Sequence, residues 1–255
     1  MPLFETDTFY VEEAGCANRT AIIVNVTAPT QQSTSVMPSN YWPMQEPNYG
    51  DNLTNASNPL SFSSTWIGGT DRFGNANAAI TFNNKNQLMN FPTAFTNGTI
   101  DFWYYYGGNG GDYSVLLSNQ TSTHPLLLVT NTDALTLWSS SGAPTGSSVT
   151  LTANSWYRIT VTRQGSNGSL YLNGMLIGNA TNVSTTAVNR IGNNRNGFTY
   201  QGCLGKFDNI KIINTVQLPA NISAPIITTP LNSSYAVCTG GTLNANVQVL
   251  NPLTD

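Results

Sequence analysis

The sequence predicts an all-β protein: two antiparallel sheets packed as a sandwich, with terminal β extensions. Three observations predict it. Between residues 154 and 178, Tyr157, Ile159 and Val161 alternate with Trp156, Arg158 and Thr160, the period of a half-buried strand. Turn chemistry follows at Gln164-Gly165-Ser166-Asn167-Gly168. Leu170 and Leu172 then restart the alternation, and Asn173-Gly174 marks a tight turn that favours φ > 0. Elsewhere, short apolar runs are separated by Asn, Gly and Ser, and no stretch of ten residues or more carries a helical pattern.

Three regions separate along the chain. Residues 1–37 hold two apolar stretches, 9–11 and 21–26, and then a polar linker at 30–35. Residues 38–222 hold the sandwich strands. Residues 223–255 open with a proline-rich segment, 225–230, and end with the alternating run Leu243, Ala245, Val247 and Val249. Inside the sandwich the strands are placed at 79–82, 98–104, 114–118, 125–130, 133–138, 188–192 and 205–212. In the aromatic run, Ile100, Phe102, Tyr104 and Tyr106 share one face, and Asp101, Trp103 and Tyr105 share the other. The aspartate assigns the second face to the polar side. Trp42, Trp66, Trp138 and Trp156 are expected as core anchors.

Six of these segments, in order, resemble a known family. Tyr41-Trp42-Pro43-Met44-Gln45-Glu46 resembles an opening W-P-M-D-E strand. Gly98-Thr99-Ile100-Asp101-Phe102-Trp103 resembles F-T-I-S-F-W, and the alternating pair at 154–178 resembles W-Y-H-V-A-V-T followed by L-Y-V-N-G. Ala79-Ile80-Thr81-Phe82, Val188-Asn189-Arg190-Ile191-Gly192 and Gly205-Lys206-Phe207-Asp208-Asn209-Ile210-Lys211-Ile212 fit the remaining pattern. Over about 180 residues the chain is similar to concanavalin A-like, laminin-G-like jelly-roll domains. The resemblance implies a jelly roll that binds glycans or other surfaces, with catalysis in only some members. It also implies structural calcium in some of them.

Composition narrows the partners. Charged residues make up 8% of the chain, against roughly 25% in an average globular protein. The net charge is −3, with three Lys and six Arg spread along the sequence, so no basic field exists to hold nucleic acid or anionic lipid. No run approaches the ~20 apolar residues of a membrane span. Solubility falls to neutral polar groups, above all 33 Asn. Eleven Asn-X-Ser/Thr sequons occur, which matter only in a glycosylating host. The first sixteen residues carry four acidic groups and no basic one, unlike a secretory signal.

Candidate sites are few. Catalysis by paired carboxylates on one strand needs a separation of about 5–5.5 Å in retaining glycosidases. The four Glu all fall at or before Glu46 with no E-x-D-x-E run, and His124 is the only histidine, so a non-enzymatic protein is expected. A glycan platform is expected where Trp103 and Tyr105 precede a glycine-rich loop holding Asn109 and Asp112. A second loop brings Asn194, Arg195 and Tyr200. No cofactor is required; Asp51, Asn52 and Asp208 are the candidate calcium residues, with turn capping by Asp51 and Asn52 and loop-amide bonding by Asp208 as the preferred alternative. Cys16 and Cys238 lie in the two extensions and pair if these meet; otherwise the three cysteines are small buried hydrophobes.

The function expected first is structural: a component of a surface assembly, a virion by preference, displaying a lectin-like domain. Its terminal arms would join copies of itself or other structural subunits. The setting is then a virion surface or the extracellular space. The alternative is a glycan-binding module of a secreted or cell-surface protein. The third reading is a glycoside hydrolase.

Overall fold

The computed structural model describes residues 7–11, 20–24, 36, 38–45, 49–63, 67–119, 124–192 and 202–219. They fall into two units. In the first, β1 (Asp7–Val11) pairs antiparallel with β2 (Thr20–Val24), with Phe9 opposite Ile22. The second holds all other described residues. Cys16, Cys238, the proline-rich segment and the alternating run near residue 245 lie outside the described residues, as does most of both expected arms.

Strands of the second unit run in chain order as β3 (Asn40–Trp42), β4 (Ser61–Phe62), β5 (Ile67–Gly69), β6 (Ala79–Phe82), β7 (Leu88–Phe95), β8 (Gly98–Tyr106), β9 (Ser114–Ser118), β10 (Leu127–Val129) and β11 (Ala134–Trp138). They continue as β12 (Pro144–Thr150), β13 (Ser155–Gln164), β14 (Asn167–Leu172), β15 (Met175–Ala180), β16 (Val188–Gly192) and β17 (Gly205–Ile213). One sheet has the order β12-β11-β10-β9-β16-β7-β4. The other has the order β15-β14-β13-β8-β17-β6-β5, with β3 added on β17. All pairings are antiparallel, and the two sheets form a sandwich consistent with a jelly roll.

The alternating pattern decides which faces meet. Ile100, Phe102, Tyr104 and Tyr106 of β8 and Ile159 and Val161 of β13 are fully buried in one core with Leu117, Leu135 and Ile191 from the opposite sheet. Phe207 of β17 is the aromatic hub, with ring centroids 4.9 Å from Tyr104, 5.2 Å from Phe82 and 6.1 Å from Phe102. Trp42 stacks on Phe91 at 5.6 Å as a core anchor. Trp156 does not: it is of the opposite parity to Tyr157 and Ile159, so it faces away from the core, half-buried. Trp138 is half-buried with its ring edge-on to Tyr113, and Trp66 is outside the described residues.

Three features escape the sequence pattern. Strand β7 contains Pro92, which breaks the alternation and coincides with a register shift against β16. Strand β12, Pro-Thr-Gly-Ser-Ser-Val-Thr, is a mostly exposed edge with no apolar alternation. In β17 one extra residue bulges between Asp208 and Lys211, and Asn209 takes a left-handed φ of 51° there.

Candidate functional site

The outward face of the eight-stranded sheet carries the chemistry. Register across β13, β8 and β17 sets three rows: Trp156–Tyr105–Lys206, then Arg158–Trp103–Asp208, then Thr160–Asp101–Lys211. The bulge in β17 is what brings Asp208 and Lys211, three positions apart, onto the same face as residues two apart on β8.

The third row is buried, and its Asp101 pairs with Arg158 of the second row. Arg158 Nε donates to Asp101 Oδ1 at 2.9 Å and its Nη2 to Oδ2 at 3.3 Å; Thr160 Oγ1 donates to the same carboxylate at 2.6 Å. Asp101 is 2% exposed and Arg158 4%. A second Arg158 bond, to the carbonyl of Pro219 at 3.3 Å, ties down the segment following β17, and Gln217 N donates to Thr99 Oγ1. Burial pulls the Lys211 ammonium down to about 8, with Asp101 acting in the opposite direction.

In the second row Arg72 reaches in from the turn after β5. Its Nη1 donates to Asp208 at 2.5 Å, and its guanidinium lies 4.5 Å from the Trp103 ring and 4.2 Å from that of Phe73. Burial pushes the Asp208 carboxyl up to about 7, against Arg72, which pulls it down. Asp71 shapes this turn by accepting from Phe73 N and Asn75 N.

The first row is the open end. Tyr105 and Trp156 are half-exposed and meet edge-on at 5.6 Å, and Lys206 Nζ stands 4.9 Å from the Tyr105 ring. Trp103 and Tyr105 therefore lie beside each other on the outward face, as the alternation of β8 requires. Asn109 and Asp112 are bonded within the loop beyond: Asn109 Nδ2 donates to Thr130 O, its Oδ1 accepts from Gly111 N, and Asp112 accepts from Lys85 at 2.9 Å. Asn194, Arg195 and Tyr200 lie outside the described residues.

The expected calcium residues sit apart in their bonding. Asp51 is exposed. Asn52 is buried, and its Oδ1 accepts from Tyr41 N, Thr54 N and Asn55 N, a loop-organising role. Asp208 is held by Arg72. Among the described residues no three His, Cys, Asp or Glu gather as a metal-ligating group. Cys203 is a buried free thiol. No helix among the described residues is long and apolar enough to cross a membrane.

A separate groove of about 540 Å³ is lined by Thr145, Thr162, Gln164, Ser169, Asn179 and neighbouring residues, with no charged side chain. Sequence reasoning placed Trp103 and Tyr105 on this face, but not Trp156, Arg72, Arg158, Lys206 or Lys211 beside them. Parity alone puts Arg158 with Trp156, and Lys206 with Asp208. Nothing local announces Arg72, which meets a residue 136 positions away.

A family model described as the concanavalin A-like lectin/glucanases superfamily matches residues 73–223. No curated protein matches the chain in sequence. Among solved structures, domain 4 of AbnA, a GH43 extracellular arabinanase from Geobacillus stearothermophilus in complex with arabinotriose, is 12% identical with a TM-score of 0.56. That match covers 72% of this chain and 96% of the domain. Trypanosoma rangeli sialidase in complex with sialic acid is 13% identical with a TM-score of 0.53, covering 71% of this chain but only 31% of the sialidase. At such identities the likeness shows the fold. It also corrects the expectation of a non-enzymatic protein. These neighbours come from glycoside hydrolases, and the fold is shared with lectins, so a missing E-x-D-x-E run does not exclude an enzyme.

Proposed function

Because the chain belongs to the concanavalin A-like lectin/glucanases superfamily, we propose that it binds carbohydrate on the outward face of its eight-stranded sheet. One observation carries the placement: Trp156, Tyr105 and Trp103 are held half-exposed, side by side, on a rigid sheet. The apolar face of a pyranose or furanose ring stacks on such rings, while neighbouring amides and charges meet its hydroxyls. The arabinotriose bound by domain 4 of AbnA, a similar fold, supports the ligand class. Support for a setting on a virion surface or in the extracellular space comes from composition alone, 8% charge with abundant Asn.

Titration calorimetry against a panel of neutral and acidic oligosaccharides tests the reading. Trp156→Ala and Tyr105→Ala should each weaken binding about tenfold, the loss of one well-packed aromatic contact. Thr93→Ala, exposed on β7 of the opposite sheet, should leave it unchanged. Binding that survives both ring deletions moves the site elsewhere, with the uncharged groove next in line.

A further inference from the structure

We propose that the glycan taken by this face is anionic, with a carboxylate or sulfate group meeting Lys206 while its ring stacks on Tyr105 and Trp156. This rests on the carbohydrate-binding reading above and names its ligand class. Four of the nine basic residues in the chain, Arg72, Arg158, Lys206 and Lys211, stand on or over this one face of a protein whose net charge is −3. Such a concentration does not follow from composition.

Pairing separates their roles. Arg158 is held by Asp101 and Arg72 by Asp208. Asp71, the other carboxylate of this end, is turned into its own turn, where it accepts from Phe73 N, Asn75 N and Asn75 Nδ2. Lys206 is different. Among the described residues its ammonium touches only the Tyr105 ring and, at 3.4 Å, the carbonyl of Thr70, and it has no carboxylate partner there. It is half-exposed at the open end of the aromatic row.

The position of Lys206 is also built. A Cβ at Gly69 would come within 3.2 Å of Lys206 Cδ and 2.3 Å of Thr81 Oγ1, so this glycine of β5, on the far side of β6 from β17, leaves the channel in which the lysine stem lies. Held along the sheet, the ammonium lies over the Tyr105 ring, 4.9 Å from its centroid. An anionic group on a stacked sugar would then complete a charge-assisted contact. A neutral sugar would use the rings and leave the lysine unanswered.

The test uses the full chain and three probes: galacturonate oligomers, their methyl esters, and a sulfated oligosaccharide. Calorimetry of the wild type, Lys206→Gln and Trp156→Ala is run at low and high salt. The acid or the sulfated probe should bind about fivefold tighter than the methyl ester, as expected for one partly exposed ion pair. Salt should erase that margin by screening. Lys206→Gln should bind acid and ester equally, with thermal stability as in the wild type. Trp156→Ala should weaken every probe that binds. Which of the two anions wins identifies its source. Equal wild-type affinity for anionic and neutral probes, or a margin that persists in Lys206→Gln, overturns the anionic preference and leaves carbohydrate binding standing. No binding by these probes or by the neutral panel removes the carbohydrate reading and this inference with it.

Discussion

The guanidinium of Arg163 answers backbone carbonyls, where Arg158 and Arg72 answer carboxylates. It is 1% exposed, lies over the Phe95 ring, and donates to Thr96 O, to Phe95 O and Ser184 O at 3.0 Å, and to Thr186 O at 2.8 Å. One side chain thus satisfies the carbonyls where the β7–β8 turn meets the segment before β16. Arg163→Met should cost about 3–5 kcal/mol, because it strands several buried acceptors at once; urea unfolding measures it. Asp208 makes a different prediction. Its unfolded pKa is about 3.9, and its folded value is raised by burial to about 7. Between these values the folded state holds a proton that the unfolded chain releases. The stabilising contribution of this proton is full below about pH 4 and is lost as pH rises through 7. Asp208→Asn keeps the neutral shape at every pH. Its melting temperature relative to wild type should therefore climb from pH 4 to 8, and parallel melting curves would refute the assignment.

At the scale of elements, β17 shows how far a sequence pattern reaches. Its position along the chain was legible. The bulge at Asn209 was not, because it is set by pairing to a strand a hundred residues away. Gly205, which starts the strand, has φ of 137°, and a Cβ there would lie 2.0 Å from Tyr105 O. Gly205→Ala should destabilise by more than about 2 kcal/mol through strain and a backbone clash. Gly110→Ala should cost about 1 kcal/mol, since its φ is also positive but nothing lies within 4 Å. Thermal melts of the two variants separate steric from conformational cost. The turn of the β14–β15 hairpin was legible. Asn173 and Gly174 take φ of 50° and 82°, and Asn173 Oδ1 accepts from Arg158 N, so the turn residue also steadies the strand that carries Trp156. Strands β7 and β12 went unread, the first for its internal proline and the second for its exposed, polar edge.

For the whole molecule, one hydrophobic cluster joins both sheets of the second unit. A fragment spanning residues 36–223 should therefore unfold in a single calorimetric transition and keep the carbohydrate affinity of the full chain. Two transitions, or lost binding, would show that the sandwich depends on the remaining residues. The sequence by itself determined the all-β class, most of the strand positions, and which side of β8 faces the core. Those properties follow from side-chain periodicity and turn chemistry, which act over a few residues. Only the tertiary structure decided that Trp156 is a surface ring, that Asp101 and Asp208 each hold an arginine, and that Lys206 is left facing the open aromatic row. Those outcomes depend on strand register, on one bulged residue and on a turn reaching across 136 positions. Contacts between distant residues are fixed by how whole strands pair, and no local pattern encodes that pairing.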